Sequence, residues 1–182
     1  MYEHVLPLWL EYKGMNKKTR ALTLSALFTA LCVITLYFAS VWPTGQLGIA
    51  AFASLFVAAA VIESGLSYGI LVYIVSSGLG MLLLPVKTAP LLYALFFGFY
   101  PVLKHLAGRV MQTALQWALK ILVFNAALTA VHFLIKDIFH NITYRPGGIV
   151  ILYLGANVVF TVFDYGYSKV LRFYMERIHN RR

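Results

Sequence analysis

Residues Ala21–Ile62 read ALTLSALFTALCVITLYFASVWPTGQLGIAAFASLFVAAAVI, a stretch without a single charged side chain. Further long stretches, after Glu63, Lys87, Lys120 and Arg145, are nearly free of charge. A helix needs about 20 mostly apolar residues to cross the hydrocarbon core of a bilayer, and these stretches are long enough to supply such helices. The sequence therefore predicts an all-α integral membrane bundle.

The composition indicates the same fold class. Of the 182 residues, 61% are hydrophobic and 12% are charged, whereas a soluble domain carries roughly 25% charged residues. This excludes a water-soluble core. A chain of 20.4 kDa has room for one bundle of about five to seven spans but not for a soluble ATPase or kinase domain as well.

Several function classes lack their usual signatures. The formal net charge of +9 does not indicate nucleic-acid binding, because the basic residues lie at predicted helix ends, where anionic lipid and membrane topology account for them. The single Cys32 excludes an intrachain disulfide, and no Cys/His cluster has zinc-like spacing. Nucleotide-binding, metalloprotease, hydrolase and paired-carboxylate motifs do not occur. We therefore expect no enzyme activity, no cofactor and no metal site.

Turn signals divide the chain into six predicted spans. Pro43-Thr44-Gly45, Glu63-Ser64-Gly65 and the Pro85–Pro90 loop combine helix breakers with residues that favour turns. The predicted spans are Ala21–Trp42, Leu47–Ile62, Leu66–Leu84, Leu91–Leu103, Thr113–Phe139 and Ile149–Ser168. The fourth span is short for a ~30 Å hydrocarbon core, and it is followed by a predicted basic turn at Lys104–Arg109.

The two ends of the chain are predicted to lie outside the hydrocarbon. Residues 1–20 carry Trp9 among basic residues, which is typical of an interfacial lead-in, residues 21–168 form the six-helix domain, and residues 169–182 form a basic tail. Met15 is an alternative start. The first span lacks the pattern of a cleaved signal peptide, so we expect it to be retained.

The distribution of Lys and Arg predicts the orientation. Six spans place both ends on one side, where eleven basic residues lie near the membrane, against three on the other side. The eleven are Lys13, Lys17, Lys18, Arg20, Lys104, Arg109, Lys169, Arg172, Arg177, Arg181 and Arg182, and the three are Lys87, Lys136 and Arg145. Because basic residues favour the cytoplasmic side, we expect both termini in the cytoplasm.

Polar residues recur at helical spacing in the last two spans. The two stripes are Asn125, Thr129, His132 and Lys136 in the fifth span, and Tyr153, Asn157, Thr161 and Asp164 in the sixth. Each set falls on one helix face, and polar groups at membrane depth face protein or a wet cavity. The stripes either line a solute cavity or form hydrogen bonds that pack the helices together.

Lys120 and Asp164 are the charged residues predicted to lie deepest in these spans. Counted from the cytoplasmic helix ends, both lie at a depth of roughly 10 Å by helical rise. An intramembrane ion pair is the expected arrangement, and a proton relay and a lysine that snorkels to the interface are the alternatives.

Two small-residue patterns predict close helix contacts. Ala26-x-x-x-Ala30 lies in the first span, and Gly65-x-x-x-Gly69 opens the third. Such patterns let helix backbones approach each other. Each either packs inside the bundle or, in the case of the Ala26 and Ala30 face, docks another membrane protein.

Taken together, these features resemble the substrate-binding S components of energy-coupling factor (ECF) transporters, six-helix membrane proteins that capture vitamins in prokaryotes. The resemblance extends from Lys17 onward. It rests on Lys17-Lys18-Thr19-Arg20-Ala21-Leu22-Thr23 before Ala26-x-x-x-Ala30, on Pro43-x-Gly45 in the first outer loop, on the stretch Tyr93–Pro101, and on the size and layout of the chain.

The resemblance implies partners and a pocket. Ala26 and Ala30 would meet a transmembrane coupling protein driven by two cytoplasmic ATPases, and the chain would lie in a prokaryotic plasma membrane. The outward-facing solute pocket would be built from Trp42, Thr44, Gln46, Lys87, Tyr93, Asn125, His132, Lys136, Tyr144, Arg145, Tyr153 and Asn157.

The chemistry of the expected solute follows from the pocket residues. Lys87, Lys136 and Arg145 around the outer mouth favour an anionic or carboxylate-bearing solute, and outer aromatic residues favour a heterocyclic ring. The rival interpretation is a non-transporting membrane scaffold similar to the MreD-like proteins of the cell envelope. In that case the polar stripes only pack helices.

Overall fold

The computed structural model describes residues 17–110, 112–134 and 148–177 of the chain as a helical bundle without strands in these ranges. Six of its helical segments are long and apolar enough to cross a membrane. The predicted all-α, six-span fold class is thereby confirmed, and the protein is a multi-pass membrane protein. The elements in chain order are α1 (Lys17–Val41), a 3-10 turn (Pro43–Gly45), α2 (Gln46–Ser64), α3 (Leu66–Leu83), α4 (Thr88–Leu92), a π-helical turn (Tyr93–Phe97), α5 (Tyr100–Val110), α6 (Thr113–Leu134) and α7 (Gly148–Arg177).

The fourth span is longer than the sequence predicted. Together α4, the π-helical turn and α5 form a crossing segment, Thr88–Gly108, of 21 residues. The predicted limits Leu91–Leu103 and the predicted turn at Lys104–Arg109 are therefore wrong. The error has a physical cause, because the charge of Lys104 is paired inside the bundle and does not mark the membrane boundary.

Helix α7 also passes its predicted end at Ser168. It has 30 residues, about 45 Å of helical rise, so the tail that was predicted to begin at Lys169 is helical as far as Arg177. The Tyr174 hydroxyl donates to Glu63 Oε1 at 3.1 Å, next to the end of α2. The C-terminal end of α7 and the N-terminal end of α1 thus lie at the same end of the bundle.

Small residues bring α1, α2 and α3 close together. The core between them contains Cys32, Ala53, Ala60 and Val72, all with no exposed surface. The Cys32 thiol donates to the Ala53 carbonyl across the helix pair at 3.3 Å. Because lipid is as apolar as these side chains, close packing rather than expulsion from water holds such helices together.

The hairpin of α2 and α3 depends on two glycines. Gly65 joins the helices at φ 96°, in the left-handed region that glycine adopts most readily, and its N–H donates to the Val61 carbonyl at 3.1 Å. At Gly69 a Cβ atom would lie only 2.1 Å from Val61 Cγ2. Gly69 therefore packs within the bundle, as predicted for this small-residue pattern, whereas Gly65 is exposed and forms the turn.

The π-helical turn is locked by a neighbouring tyrosine. The Gly98 N–H donates to the Tyr93 carbonyl at 2.7 Å, one residue further back than in an α-helix. The Tyr73 hydroxyl donates to the Ala94 carbonyl at 2.7 Å. A Cβ at Gly98 would lie 2.8 Å from Tyr73 Cδ2 and from Tyr93 Cζ, so only glycine allows this close approach.

Aromatic side chains fill the other half of the bundle, between α5, α6 and α7. Phe124 and Phe160 stack with ring centroids 4.6 Å apart, and Phe96 meets Phe160 edge to face at 5.7 Å. Tyr167 is buried and donates from its hydroxyl to the Ser54 carbonyl of α2 at 3.2 Å. Large rings thus span the distance between α7 and α2.

Alanine at Gly69 is expected to lower stability, with alanine at Gly78 as the matched control on the same helix. The added Cβ at Gly69 meets a β-branched Val61 that has little rotamer freedom, whereas a Cβ at Gly78 meets nothing within 4 Å. We expect a loss of about 1–3 kcal/mol for Gly69→Ala and no loss for Gly78→Ala. Thermal unfolding in detergent measures both, and equal melting temperatures would contradict the packing described here.

Candidate functional site

A charged cluster lies buried where α5, α6 and α7 meet. Asp164 of α7 is 4% exposed and accepts from two lysines, one at each carboxylate oxygen. Lys104 Nζ lies 2.6 Å from Oδ1, and Lys120 Nζ lies 3.1 Å from Oδ2. The structure therefore brings Lys120 and Asp164 together, as expected from their equal depth. Lys120 is 7% exposed, so it does not snorkel to the interface.

Hydroxyl groups complete the cluster. The Tyr100 hydroxyl also donates to Asp164 Oδ1, and Lys104 Nζ donates to Ser168 Oγ at 2.6 Å. Ser168 in turn donates to the Asp164 carbonyl one helical turn earlier, at 2.6 Å. Every polar group named here thus has a partner, which is what burial in a membrane requires.

Aromatic faces border both lysines. Lys120 Nζ lies 5.0 Å from the Trp117 ring centroid, and Lys104 Nζ lies 5.5 Å from that of Tyr167. The electron-rich faces of these rings attract a cation. This attraction matters because the cluster contains two lysines and one carboxylate, a formal excess of one positive charge.

Three members of the cluster are not among the residues predicted from the sequence: Tyr100, Lys104 and Ser168. A signal for them exists, because Tyr100 and Lys104 are four residues apart, as are Asp164 and Ser168, so each pair shares a helix face. Lys104 was instead interpreted as part of a cytoplasmic turn. Without Lys104, the orientation count stands at ten basic residues against three, and the predicted orientation is unchanged.

A seam of polar groups continues between α6 and α7, away from the charged cluster. Its members are Asn125, Thr129 and His132 of α6 and Tyr153 and Asn157 of α7. Asn125 Nδ2 donates to Asn157 Oδ1 at 3.1 Å, and Asn157 Nδ2 donates to Asn125 Oδ1 at 3.0 Å. Each amide also donates to the carbonyl four residues earlier on its own helix, at 2.8 Å. The two asparagines are thus hydrogen-bonded to each other and to their own helices, as in packing contacts.

The next level of the seam pairs Thr129 with Tyr153, whose hydroxyls are 2.7 Å apart. His132 follows on α6, half-buried, with its ring edge-to-face against Phe133 at 5.9 Å. Thr161 does not belong to the seam, contrary to the predicted stripe. It is exposed, and its hydroxyl donates to the Asn157 carbonyl of its own helix. Each step of four residues turns the side chain about 40° further around the helix, so two such steps from Tyr153 rotate Thr161 away from α6.

The charged cluster and the amide pair are separated by an aromatic layer. Phe124 lies between Lys120 and Asn125 in sequence, and Phe160 lies between Asn157 and Asp164. Their stacked rings close the space between the two polar levels. The charged cluster around Asp164 and the polar seam around Asn125 and Asn157 are therefore two separate sites.

The predicted outer-loop residues lie at the far end of the bundle from the charged cluster. Trp42 and Thr44 are exposed, and Gln46 is half-buried at the start of α2. The Ser40 hydroxyl donates to the Val86 carbonyl at 3.2 Å, which ties the end of α1 to the loop between α3 and α4. The turn after α1 and the loop between α3 and α4, both predicted to face outward, thus lie at the same end of the bundle.

Two predicted pocket residues have other roles in this structure. Lys87 Nζ donates to the Met81 and Leu84 carbonyls at 2.6 and 2.7 Å, so its charge caps the C-terminal end of α3. Tyr93 has no exposed surface, and its hydroxyl is 2.8 Å from Ser76 Oγ within the α1–α3 core. The resemblance to S components implies a pocket role for Tyr93, and the structure places this residue in the core between the helices.

Lys136, Tyr144 and Arg145 lie outside the described residues, as does the last part of the predicted fifth span. Ala26 and Ala30 are described, and both are exposed. They line an open groove of about 510 Å³ between α1 and α3, whose α3 side is formed by Leu71, Val75 and Leu79.

No family model, no curated protein and no solved structure matches this chain. The resemblance to ECF S components therefore rests on the sequence features alone.

Removal of the Asp164 carboxylate is expected to be far more damaging than removal of Lys120. Asp164→Ala leaves the buried Lys120 and the partly buried Lys104 without their counter-ion, and breaking a buried ion pair in this way costs about 3–5 kcal/mol. Lys120→Met leaves Asp164 bonded to Lys104 and Tyr100. Thermal unfolding in detergent measures both, with Lys169→Met as an exposed control. The triple variant Lys104→Met, Lys120→Met and Asp164→Leu is expected to regain stability, and no recovery would contradict the ion-pair explanation.

The amide pair is expected to show energetic coupling. In a double-mutant cycle of Asn125→Ala and Asn157→Ala, the second substitution should cost less than it does alone, because the first has already removed the shared hydrogen bonds. Coupling of about 0.5–1.5 kcal/mol is typical of polar contacts between membrane helices. Thr161→Ala, on the same helix but outside the seam, serves as the additive control, and additivity of the two asparagines would show that their contact contributes nothing.

Proposed function

We propose that this protein is the substrate-capture subunit of an ATP-driven importer of the ECF type. In this proposal it binds a vitamin-like small solute from the outer face and passes it to a membrane coupling protein that two cytoplasmic ATPases drive. The six-helix layout supports this proposal, although other membrane proteins share that layout. The basic residues at the α1 and α7 ends support a cytoplasmic location of both termini. A prokaryotic plasma membrane is part of the proposal because ECF importers are prokaryotic.

The open alanine face of α1 is the observation that carries the proposal. Small residues four apart recur along the chain, and the bundle uses Gly69 of the Gly65-x-x-x-Gly69 pattern for its own packing. Ala26 and Ala30 remain exposed beside the groove between α1 and α3. A helix of a partner protein is able to approach closely there, because alanine side chains leave the backbone accessible.

The outer end of the α6–α7 seam is where a solute best fits. Tyr153, Thr129 and His132 lie there, on the same side of the bundle as the first two outer loops. The Asn125–Asn157 pair lies deeper in the bundle. To bind there, a solute must break the hydrogen bonds between the two amides and replace them with hydrogen bonds of its own. A carboxylate or amide group of a solute is able to form these replacement hydrogen bonds.

A scaffold without transport activity is the second candidate, and one observation favours it. The amides of Asn125 and Asn157 bond to each other, and the hydroxyls of Thr129 and Tyr153 do the same. Two helices held together by such contacts need no ligand. In this alternative the alanine face would dock cell-envelope proteins instead of a coupling protein.

The partner prediction is tested by blocking the alanine face. Ala26→Trp/Ala30→Trp should abolish co-purification of a membrane coupling protein and two ATPases from the native host, because the indole rings fill the groove. Ala114→Trp/Ala118→Trp, at two exposed positions of α6 with the same four-residue spacing, is the matched control and should leave the complex intact. Mass spectrometry identifies what co-purifies, and recovery of cell-envelope proteins alone would support the scaffold.

The solute prediction is tested by ligand protection. A panel of water-soluble vitamins at micromolar concentration should contain one compound that raises the melting temperature, since a ligand at 100 times its Kd stabilises by about 2.7 kcal/mol. Asn157→Ala should weaken this protection, and Thr161→Ala should not. Protection by none of the vitamins, or equal protection of both variants, would count against the proposed solute site.

A further inference from the structure

A basic cavity lies beside the start of α1, at the end of the bundle that contains the charged cluster. It has a volume of about 480 Å³ and lies between the first turns of α1 and the junction of α2 with α3. Three cations, Lys17, Lys18 and Arg20, line it on the α1 side. Neither the solute site nor the docking face of the proposed function includes these residues.

The charge of the cavity is strongly positive. Glu63 is the acidic residue in its lining, and the Glu63 carboxylate also accepts from the Tyr174 hydroxyl at 3.1 Å. Three cations against one carboxylate leave a formal excess of two positive charges in the lining. Such an excess at a membrane surface attracts an anion.

The lining also contains polar groups suited to an anion. Tyr68 is half-buried in the wall, with its side chain on the α3 side of the cavity. The Ser64 hydroxyl is buried and, among the described residues, has no hydrogen-bond partner. A buried hydroxyl without a partner is unfavourable, and a bound phosphate oxygen would supply its acceptor.

The basic cavity and the apolar groove share both of their helices. On α3, Tyr68 of the cavity is followed at helical spacing by Leu71, Val75 and Leu79 of the groove. On α1, Lys18 of the cavity is followed four residues later by Leu22 of the groove. A molecule that is anionic at one end and apolar along its length therefore meets matching surfaces in both.

The groove is apolar despite its hydroxyl residues. Ser25 and Thr29 line it, but each donates to the carbonyl four residues earlier on α1, at 2.8 Å. Their hydrogen-bonding capacity is thus largely used within the helix. The groove therefore presents mainly aliphatic side chains, on which an acyl chain packs well.

We infer that the cavity and the groove together bind one anionic phospholipid of the leaflet at the α1 N-terminal end, with the phosphate among Lys17, Lys18 and Arg20 and an acyl chain along Ala26 and Ala30. A soluble phosphate compound would have no use for the apolar groove. The inference does not depend on the transport proposal. In the isolated subunit the lipid covers the face that a coupling protein would cover in the complex.

The test measures lipid binding by the full chain in neutral detergent, with native mass spectrometry as the readout. Phosphatidylglycerol should bind as a single molecule, at least about 10-fold more tightly than phosphatidylcholine with the same acyl chains. Lys17→Gln/Lys18→Gln/Arg20→Gln should weaken phosphatidylglycerol binding on the order of 100-fold, since each cation near an anionic lipid contributes about 5-fold.

A matched triple variant controls for diffuse surface charge. Lys169→Gln/Arg172→Gln/Arg177→Gln removes three cations at the same end of the bundle, on α7 and outside the cavity lining. It should leave the affinity for phosphatidylglycerol unchanged. An equal loss in both triple variants, or equal binding of the two lipids by the unmodified chain, would overturn the inference. All substituted side chains are exposed, and a melting curve of each variant verifies that it is folded.

A second pair of variants tests the groove and separates lipid from soluble phosphate. Ala26→Leu/Ala30→Leu should reduce phosphatidylglycerol binding about 10-fold by filling the groove, whereas Ala114→Leu/Ala118→Leu, at exposed positions of α6 with the same spacing, should have no effect. Glycerol phosphate, which shares the headgroup chemistry without acyl chains, should bind far more weakly. If it binds as tightly as the lipid, or if the groove instead holds a second copy of the chain seen as a dimer, the lipid inference is wrong.

The lipid test and the transport test fail independently. The Lys17/Lys18/Arg20 variant keeps Ala26 and Ala30, so a coupling protein should still co-purify with it. Equal binding of the two lipids by the unmodified chain, together with an intact complex, would contradict only the lipid inference. Selective lipid binding without any coupling protein would contradict only the transport proposal.

Discussion

A carboxylate within the membrane must be paired, and the contacts of Asp164 show how this constraint shapes half of the bundle. Its two oxygens accept from side chains of α5 and α6, so one group on α7 ties three helices together. The pairing also explains why α5 continues through Lys104 instead of ending there. Removing charged groups from water is costly, and this cost is offset only where each charge has a partner in good geometry.

The two halves of the molecule solve the packing problem differently. Helices α1, α2 and α3 carry alanine and glycine at their contacts, so their backbones lie close and the bundle there is compact. Helices α5, α6 and α7 are kept further apart by phenylalanine and tyrosine rings, and the space between them accommodates polar side chains. A polar seam therefore develops in the aromatic half, whereas the alanine half presents an outer groove. The sites proposed above follow from this difference: the proposed solute site lies beside the α6–α7 seam, and the proposed partner and lipid sites lie along α1.

Much of this arrangement was predictable from spacing. The absence of charge in Ala21–Ile62 predicts membrane spans, and the steps between Asn125, Thr129 and His132 predict one polar face on α6. The matching depth of Lys120 and Asp164 predicts their contact. The limits of the fourth span were wrong because the type of residue alone indicates a turn at Lys104. A sequence does not show whether a lysine has a buried partner, as Lys104 has in Asp164, or that the Tyr93 side chain lies in the core.

The sequence by itself determined the number of spans, the helix faces and the excess of basic residues at one end, since these depend on local composition and on the 3.6-residue period of a helix. Only the tertiary structure decided which polar groups satisfy each other. Asn125 bonds to Asn157 and Asp164 collects two lysines because helices distant in the chain lie side by side, and no local pattern specifies such neighbours. The same holds for the two small-residue patterns: only the packing of α2 against α3 closes the Gly69 face, and only the gap between α1 and α3 leaves Ala26 and Ala30 open.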